Sequence, residues 1–122
     1  MKFSIALVRA VGFFGVLAII VLSLVPGANR PHTGLPGAAE HFIAYCLAAL
    51  ALTLGFWSIV SRIAIASGLT LLAASMEILQ LWVPGRHPAF MDAAASSLGA
   101  LLGIAFGQIF LYLAIQACQR VA

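Results

Sequence analysis

Three carboxylates, Glu40, Glu77 and Asp92, are the only acidic side chains in the chain. A histidine and an arginine accompany them, since His41 follows Glu40 and Arg86 falls between Glu77 and Asp92. These residue types can do acid-base chemistry, in which a carboxylate accepts a proton and an imidazole donates one. They can also bind an anion, because the planar guanidinium of arginine holds a phosphate or carboxylate through two hydrogen bonds.

Helical spacing places six polar side chains on shared faces. Residues three or four apart lie on the same side of an α-helix, and the pairs with this separation are His41 with Tyr45, Glu77 with Gln80, and Asp92 with Ser96. The spacing therefore predicts that three helices direct polar groups to one place. We expect Arg86 to pair there with Glu77 or Asp92, and the Glu77 and Arg86 side chains to lie in direct or one-water contact.

The composition indicates which elements must hold these groups. Of the 122 residues, 64% are hydrophobic and 7% are charged, and the mean hydropathy is +1.15. A soluble domain carries about 25% charged residues, so an ordinary cytosolic enzyme is excluded. The six cations form no basic stripe, which argues against nucleic acid as a partner. Cys46 and Cys118 lie in apolar runs without metal-ligand spacing, and neither a metal site nor a cofactor is expected.

Four apolar stretches are long enough to cross the membrane as helices, since a span of about 30 Å needs about 20 apolar residues. They cover approximately residues 5–25, 41–60, 63–83 and 90–117. Apolar runs such as Leu98 to Phe106 lack the alternation of barrel strands. The sequence predicts an all-α fold, a single integral membrane domain over residues 1–122 that forms a four-helix bundle in up-down-up-down order.

The distribution of cations predicts the orientation, because Lys and Arg in short loops are retained on the cytoplasmic side. In this order one face carries Lys2, Arg9, Arg62 and Arg120, and the other carries Arg30 and Arg86. Both termini are therefore predicted to be cytoplasmic, with the polar groups facing outward. A cleaved signal peptide is an alternative for the first stretch, although Pro26 makes a poor cleavage pattern before Ala28.

Small residues recur every four positions in the last stretch, at Ala95, Gly99, Gly103 and Gly107. Such a series lets another helix approach closely. The partner can be a helix of the same chain, which we favour, or a helix of a second copy or of a larger complex.

Several of these residues together resemble the motif positions of the VanZ-like family. The most specific part is Glu77-Ile78-Leu79-Gln80, followed by Pro84-Gly85-Arg86 and by Asp92 six positions after that arginine. With His41, Phe42 and Tyr45 upstream, the resemblance covers nearly the whole chain. The chain departs from the family at Ser96, where an Asn is usual, and at Gly37-Ala38, where an Asp-Lys pair is frequent.

The resemblance implies a small multi-pass protein of the bacterial cytoplasmic (inner) membrane and cell envelope. The founding member of that family is associated with reduced susceptibility to the glycopeptide antibiotic teicoplanin. The motif positions it assigns are His41, Tyr45, Glu77, Gln80, Arg86 and Asp92.

Three functions remain open at this point. In the first, an outward-facing cavity lined by Arg86, His41, Tyr45, Gln80, Glu77 and Asp92 binds the head group of a membrane lipid or of a lipid-linked envelope precursor. In the second, a membrane enzyme uses Glu77 or Asp92 as the base and His41 as the acid on a lipid substrate, although no known nucleophile motif accompanies them. In the third, the protein is a structural subunit that joins a membrane complex through its glycine face.

Overall fold

The computed structural model describes residues 4–31 and 33–121, which form four long α-helices and one short 3-10 turn. The helices are α1 (Ile5–Leu24), α2 (Gly37–Gly55), α3 (Ile59–Gln80) and α4 (Phe90–Val121), and the turn is Gly27–Asn29. Each helix is long and apolar enough to cross a membrane. The predicted all-α class with four such helices is therefore confirmed for the described residues. Lys2, which enters the orientation prediction, lies outside them.

The second helix begins and ends earlier than the hydropathy predicts. It starts at Gly37 rather than near residue 41, and it ends at Gly55 rather than near residue 60. A residue that precedes a proline is disfavoured in helical conformation, so Pro36 sets the earliest possible start. The earlier start puts Glu40 in the first turn of α2, where the helix dipole favours a negative charge.

The third helix starts earlier than the hydropathy predicts, because a serine caps its N-terminus. Ser58 Oγ accepts a hydrogen bond from the backbone N–H of Ser61 at 3.0 Å, and α3 therefore begins at Ile59 rather than near residue 63. The same helix ends at Gln80 rather than near residue 83, and α4 continues to Val121 rather than ending near residue 117. The connection between α2 and α3 is consequently only three residues long, Phe56–Ser58.

The glycine series of α4 packs directly on α2. A Cβ at Gly99 would meet the carbonyl oxygen of Phe42, and one at Gly103 would meet that of Cys46. At Gly107 it would lie 2.8 Å from Cγ2 of Thr53. The partner of the series is therefore a helix of the same chain, as we favoured, and α2 already covers this face of α4.

An arginine side chain in the first turns of α1 donates a hydrogen bond to the end of α2. Arg9 Nε donates to the carbonyl oxygen of Gly55 at 2.9 Å, and its guanidinium lies 4.4 Å from the ring centre of Phe56. Further along the same contact, Gly12 lies against Leu52 and Gly15 against Ala48. The cation thus supplies a donor to an end carbonyl of α2 that has no partner within its own helix.

Apolar side chains divide into a small packed core and a large outward-facing set. The core consists of Ile19, Tyr45, Ala48, Ala49, Leu69, Ala73, Ala100 and Ile104. Large apolar side chains such as Phe14, Trp82 and Phe90 are exposed. Soluble proteins rarely expose extensive apolar patches, so this surface fits a multi-pass membrane protein.

Two Pro-Gly turns bring the end of α1 and the end of α3 together. The N–H of Gly27 donates to the carbonyl oxygen of Pro84 at 3.0 Å. Gly85 has a φ of +74°, in the left-handed region that favours glycine. A Cβ at Gly27 would overlap the backbone of Gly85. This close approach places Arg86, the next residue, beside the end of α1.

Candidate functional site

Two of the motif side chains bind the end of α1. The last carbonyl groups of a helix have no partner within it. Arg86 Nε donates to the carbonyl oxygen of Val25 at 2.9 Å, and a terminal nitrogen of the same guanidinium donates to that of Leu22. Gln80 Nε2 donates to the carbonyl oxygen of Ser23 at 3.1 Å. We call Gln80 and Arg86 the α1 cap, a position at which the helix dipole favours a cation.

The expected direct pairing of Arg86 with Glu77 or Asp92 is wrong. In the described part of the chain Arg30 forms an ion pair with Glu40, and Asp92 lies 3.8 Å from His41 rather than against Arg86. Arg86 donates instead to the end carbonyls of α1. Burial lowers the pKa of Arg86 from its usual value, the positive charge of Arg30 adds to this, and the charge of Glu77 opposes it. Arginine titrates so far above neutrality that the guanidinium remains charged.

Three of the predicted side chains do converge, one from each of α2, α3 and α4. One imidazole nitrogen of His41 and one carboxylate oxygen each of Glu77 and Asp92 lie within 4.8 Å of one another. His41 Nε2 is 3.8 Å from Asp92 Oδ2, and these two side chains are 12% and 21% exposed. We call His41, Glu77 and Asp92 the three-helix cluster.

The ends of the helices hold the cluster in place. Glu77 Oε2 accepts a hydrogen bond of 2.8 Å from the backbone N–H of Ala89, the residue before α4. Asp92 lies in the first turn of α4, and its Oδ2 would be 3.5 Å from a Cβ built on Gly37 at the start of α2. The positive ends of two helix dipoles therefore face these carboxylates.

The loop that follows α1 brings further polar groups to the first turn of α2. Arg30 forms an ion pair with Glu40, and the Thr33 hydroxyl donates to the other oxygen of the same carboxylate. The backbone N–H of Leu35 donates to Thr33 Oγ1 at 3.2 Å. Sequence reasoning did not propose Arg30 or Thr33 as site residues. The signal that could have identified Arg30 is that it shares the predicted outer face with Arg86.

A groove of about 440 Å³ runs between α1 and α2. Its walls are mostly apolar, and its polar residues, which gather near one end, include Arg30, Thr33, Glu40, His41 and Arg86. A second apolar crevice of about 270 Å³ continues toward the start of α1, because Val11, Leu47 and Ala51 line both spaces. The larger space is an apolar track with a polar end, and we call it the α1–α2 groove.

The groove includes only part of the cavity lining that the sequence predicts. Arg86, His41 and Tyr45 line it, whereas Glu77, Gln80 and Asp92 do not. Gln80 is 3% exposed because it is part of the α1 cap. Ser96 is also buried, and its hydroxyl donates to the Asp92 carbonyl oxygen at 2.7 Å within α4. His41 is thus the residue shared by the groove and the three-helix cluster.

Comparison with known proteins adds no assignment to this geometry. No family model, curated protein or solved structure matches the chain. The resemblance to the VanZ-like family therefore stays a prediction, and the function has to be argued from the groove and the cluster.

Proposed function

We propose that this protein binds a membrane lipid with a phosphate-bearing, anionic head group in the α1–α2 groove. The observation that carries the proposal is the polarity of the groove, which is apolar along the helices and carries two arginines near one end. This is the distribution of a lipid molecule, whose chains are apolar and whose charge lies at one end. Ligand pockets generally combine apolar walls with a few polar groups that fix the orientation of the ligand.

The length of the groove fits one leaflet of a bilayer. Its lining residues on α1 extend from Val11 to Ser23. At about 1.5 Å per residue this interval measures about 18 Å. Half of a hydrocarbon core of about 30 Å measures about 15 Å. An acyl chain lying in the groove would therefore extend from the head-group region to about the middle of the membrane.

The charges near the polar end favour an anion. Glu40 is paired with Arg30, whereas Arg86 is held by carbonyl groups and forms no ion pair within the described residues. Each guanidinium has five N–H donors, so both retain donors beyond those that bind protein. The Thr33 hydroxyl and the His41 ring lie among the same lining residues and add neutral hydrogen-bonding groups.

The orientation and the family resemblance extend the proposal to a location. With both termini on the cytoplasmic side, as the cations favour, the polar end of the groove faces outward. The ligand is then a lipid of the outer leaflet or a lipid-linked envelope precursor in the bacterial cytoplasmic membrane. The VanZ-like resemblance supports this setting and a link to glycopeptide susceptibility.

Lipid retention tests the proposal. We expect Arg30→Ala and Arg86→Ala each to weaken the binding of phosphatidylglycerol about tenfold or more, since a hydrogen bond to a charged group contributes about 1.5–3 kcal/mol. Native mass spectrometry of the detergent-solubilised protein measures retained lipid against phosphatidylcholine competition. Arg62→Ala is the matched control, because Arg62 lies in the first turn of α3 and does not line the groove. Equal retention by all three variants would refute the proposal.

An enzyme acting on the bound lipid is a second candidate. It is favoured by the position of His41, which lines the groove and lies with Glu77 and Asp92 in the three-helix cluster. In this candidate one carboxylate is the general base and His41 the acid. A retained lipid that changes in mass with the wild-type protein and not with Glu77→Gln would favour it over binding alone.

A further inference from the structure

We propose that the three-helix cluster binds a divalent transition-metal ion through His41, Glu77 and Asp92. The inference goes beyond lipid binding and stands on different contacts, since neither carboxylate lines the groove. Sequence spacing indicates no metal site here because each ligand comes from a different helix, at positions far apart in the chain.

The distances between the three groups suit a shared ion. Zinc binds nitrogen and oxygen ligands at about 2.0–2.2 Å, which places two ligands of one tetrahedral ion about 3.4 Å apart. His41 Nε2 and Asp92 Oδ2 are already 3.8 Å apart, and the whole set lies within 4.8 Å. The upper limit of these separations exceeds the tetrahedral value by about 1.4 Å.

The two carboxylates of the three-helix cluster favour the binding of a cation. Two carboxylates that share a partly buried space repel each other unless a proton or a cation lies between them. Neither nearby arginine forms an ion pair with Glu77 or Asp92, because Arg30 pairs with Glu40 and Arg86 donates to the carbonyl groups of α1. Within residues 4–31 and 33–121 no hydrogen bond joins the side chains of the cluster to one another; their one close mutual contact is the 3.8 Å approach of His41 to Asp92. A divalent ion would neutralise both carboxylates.

The donor set identifies the class of metal. Imidazole suits zinc, iron and copper, whereas carboxylates alone suit magnesium, calcium and manganese. One nitrogen and two oxygens together favour Zn²⁺ or Mn²⁺ over Mg²⁺ and Ca²⁺. Three protein ligands leave at least one coordination position for water or another oxygen ligand, as in metal sites that do chemistry. Since His41 also lines the groove, an oxyanion such as a lipid phosphate is the class of ligand that suits this position.

The supporting contacts keep the ligands near each other. Glu77 is fixed by its hydrogen bond to the N–H of Ala89, and Asp92 lies against the start of α2. The ligands are therefore carried by helix ends rather than by a free loop, which is the arrangement that holds a metal site in place.

Metal binding by the full chain in detergent, stripped with a chelator and without added lipid, tests the site. Zn²⁺, Mn²⁺, Mg²⁺ and Ca²⁺ are added separately, and bound metal is measured by elemental analysis after gel filtration. For Mn²⁺, binding is also measured by the loss of the electron paramagnetic resonance signal of the free ion. We expect one ion per chain, with affinity reduced at least about tenfold by each of His41→Ala, Glu77→Gln and Asp92→Asn. Glu40→Gln and His87→Ala are matched controls, since they remove a carboxylate and an imidazole outside the cluster, and both should bind as the wild type does.

Each outcome decides for or against the site. Wild-type protein that retains no ion at millimolar metal overturns it, as does equal binding by the controls and the three cluster variants. Preference for Mg²⁺ or Ca²⁺ over Zn²⁺ overturns the role of His41 as a ligand. Should a cluster variant misfold, the absorption of Co²⁺ bound to wild-type protein still reports a nitrogen and oxygen site, and its absence counts against the proposal. Arg30→Ala separates the two functions, because it should lose lipid and keep metal.

Discussion

Arg86 contacts two parts of the molecule, the end of α1 and the α1–α2 groove. Its guanidinium supplies donors to the carbonyl groups of Leu22 and Val25, and it also lines the polar end of the α1–α2 groove. The helix end needs the donors because its last carbonyls have no partner within α1. The positive charge near the groove is therefore held in position by the backbone of α1 rather than by an acidic partner.

The variant Arg86→Lys separates the effect of the positive charge from that of the two guanidinium hydrogen bonds. Lysine keeps the positive charge but is a point donor that cannot reproduce the two bonds of the planar fork. We expect the free energy of unfolding to fall by about 1–3 kcal/mol, while anionic lipid still binds more strongly than in Arg86→Ala. Thermal unfolding in detergent, with Arg62→Lys as the control, measures the first effect. Equal stability of the two lysine variants would show that the α1 cap contributes nothing.

At the scale of single residues, the sequence predicted the side chains of the site better than their partners. Glu77, Asp92 and His41 were expected to converge because the up-down-up-down order puts them at the same ends of their helices, and they do. The partners of Arg86 could not be read from the sequence, since they are backbone carbonyl groups, which every residue carries.

At the scale of helices, the contact between α2 and α4 depends on the absence of side-chain atoms. Gly99 and Gly103 face carbonyl groups of α2 so closely that a methyl group would overlap them. Close backbone approach of this kind is a common basis of helix association in membranes, where packing rather than the hydrophobic effect holds helices together. The contact also fixes His41 relative to Asp92, because these side chains lie on the same two helices.

Substituting two glycines tests this contact. Gly103→Ala should lower the free energy of unfolding by about 1–3 kcal/mol, as overpacking does. Gly68 in α3 has open space around it, so Gly68→Ala should leave stability unchanged or raise it, because alanine is the better helix former. Unfolding in mixed detergent measures both variants. A Gly103→Ala protein as stable as Gly68→Ala would contradict the observed packing.

The sequence predicted that four helices are present, but it predicted their first and last residues less well. Continuous apolar runs indicate four spans. Gly37, Ala38 and Ala39 are not strongly apolar, so hydropathy alone does not mark them as the start of α2. The serine cap that starts α3 at Ile59 was also missed. Local turn and cap chemistry, rather than hydropathy, sets these ends.

At the scale of the molecule, the groove was the feature that sequence reasoning could not locate. The helix α1 is apolar on nearly all sides, and in a membrane a face that meets lipid resembles one that meets another helix. The sequence therefore predicts a polar cluster without indicating that an apolar track between α1 and α2 leads to its edge.

Thiol labelling tests the predicted orientation of the whole protein. A Cys46→Ala background keeps Cys118, which is exposed near the end of α4, and Ala28→Cys in a background without either native cysteine reports the loop after α1. We expect a membrane-impermeant maleimide to label position 28 in intact cells and Cys118 only after the membrane is opened. The reverse pattern would place the polar end of the groove on the cytoplasmic side.

The last helix is longer than a bilayer is thick. Its 32 residues measure about 48 Å at about 1.5 Å per residue, compared with a hydrocarbon core of about 30 Å. It must therefore tilt strongly or extend beyond the lipid. Gln116, Gln119 and Arg120 are polar residues of its final turns, and they suit a helix that leaves the membrane there. The C-terminal turns would then form a short stalk in water, at the opposite end of α4 from Asp92.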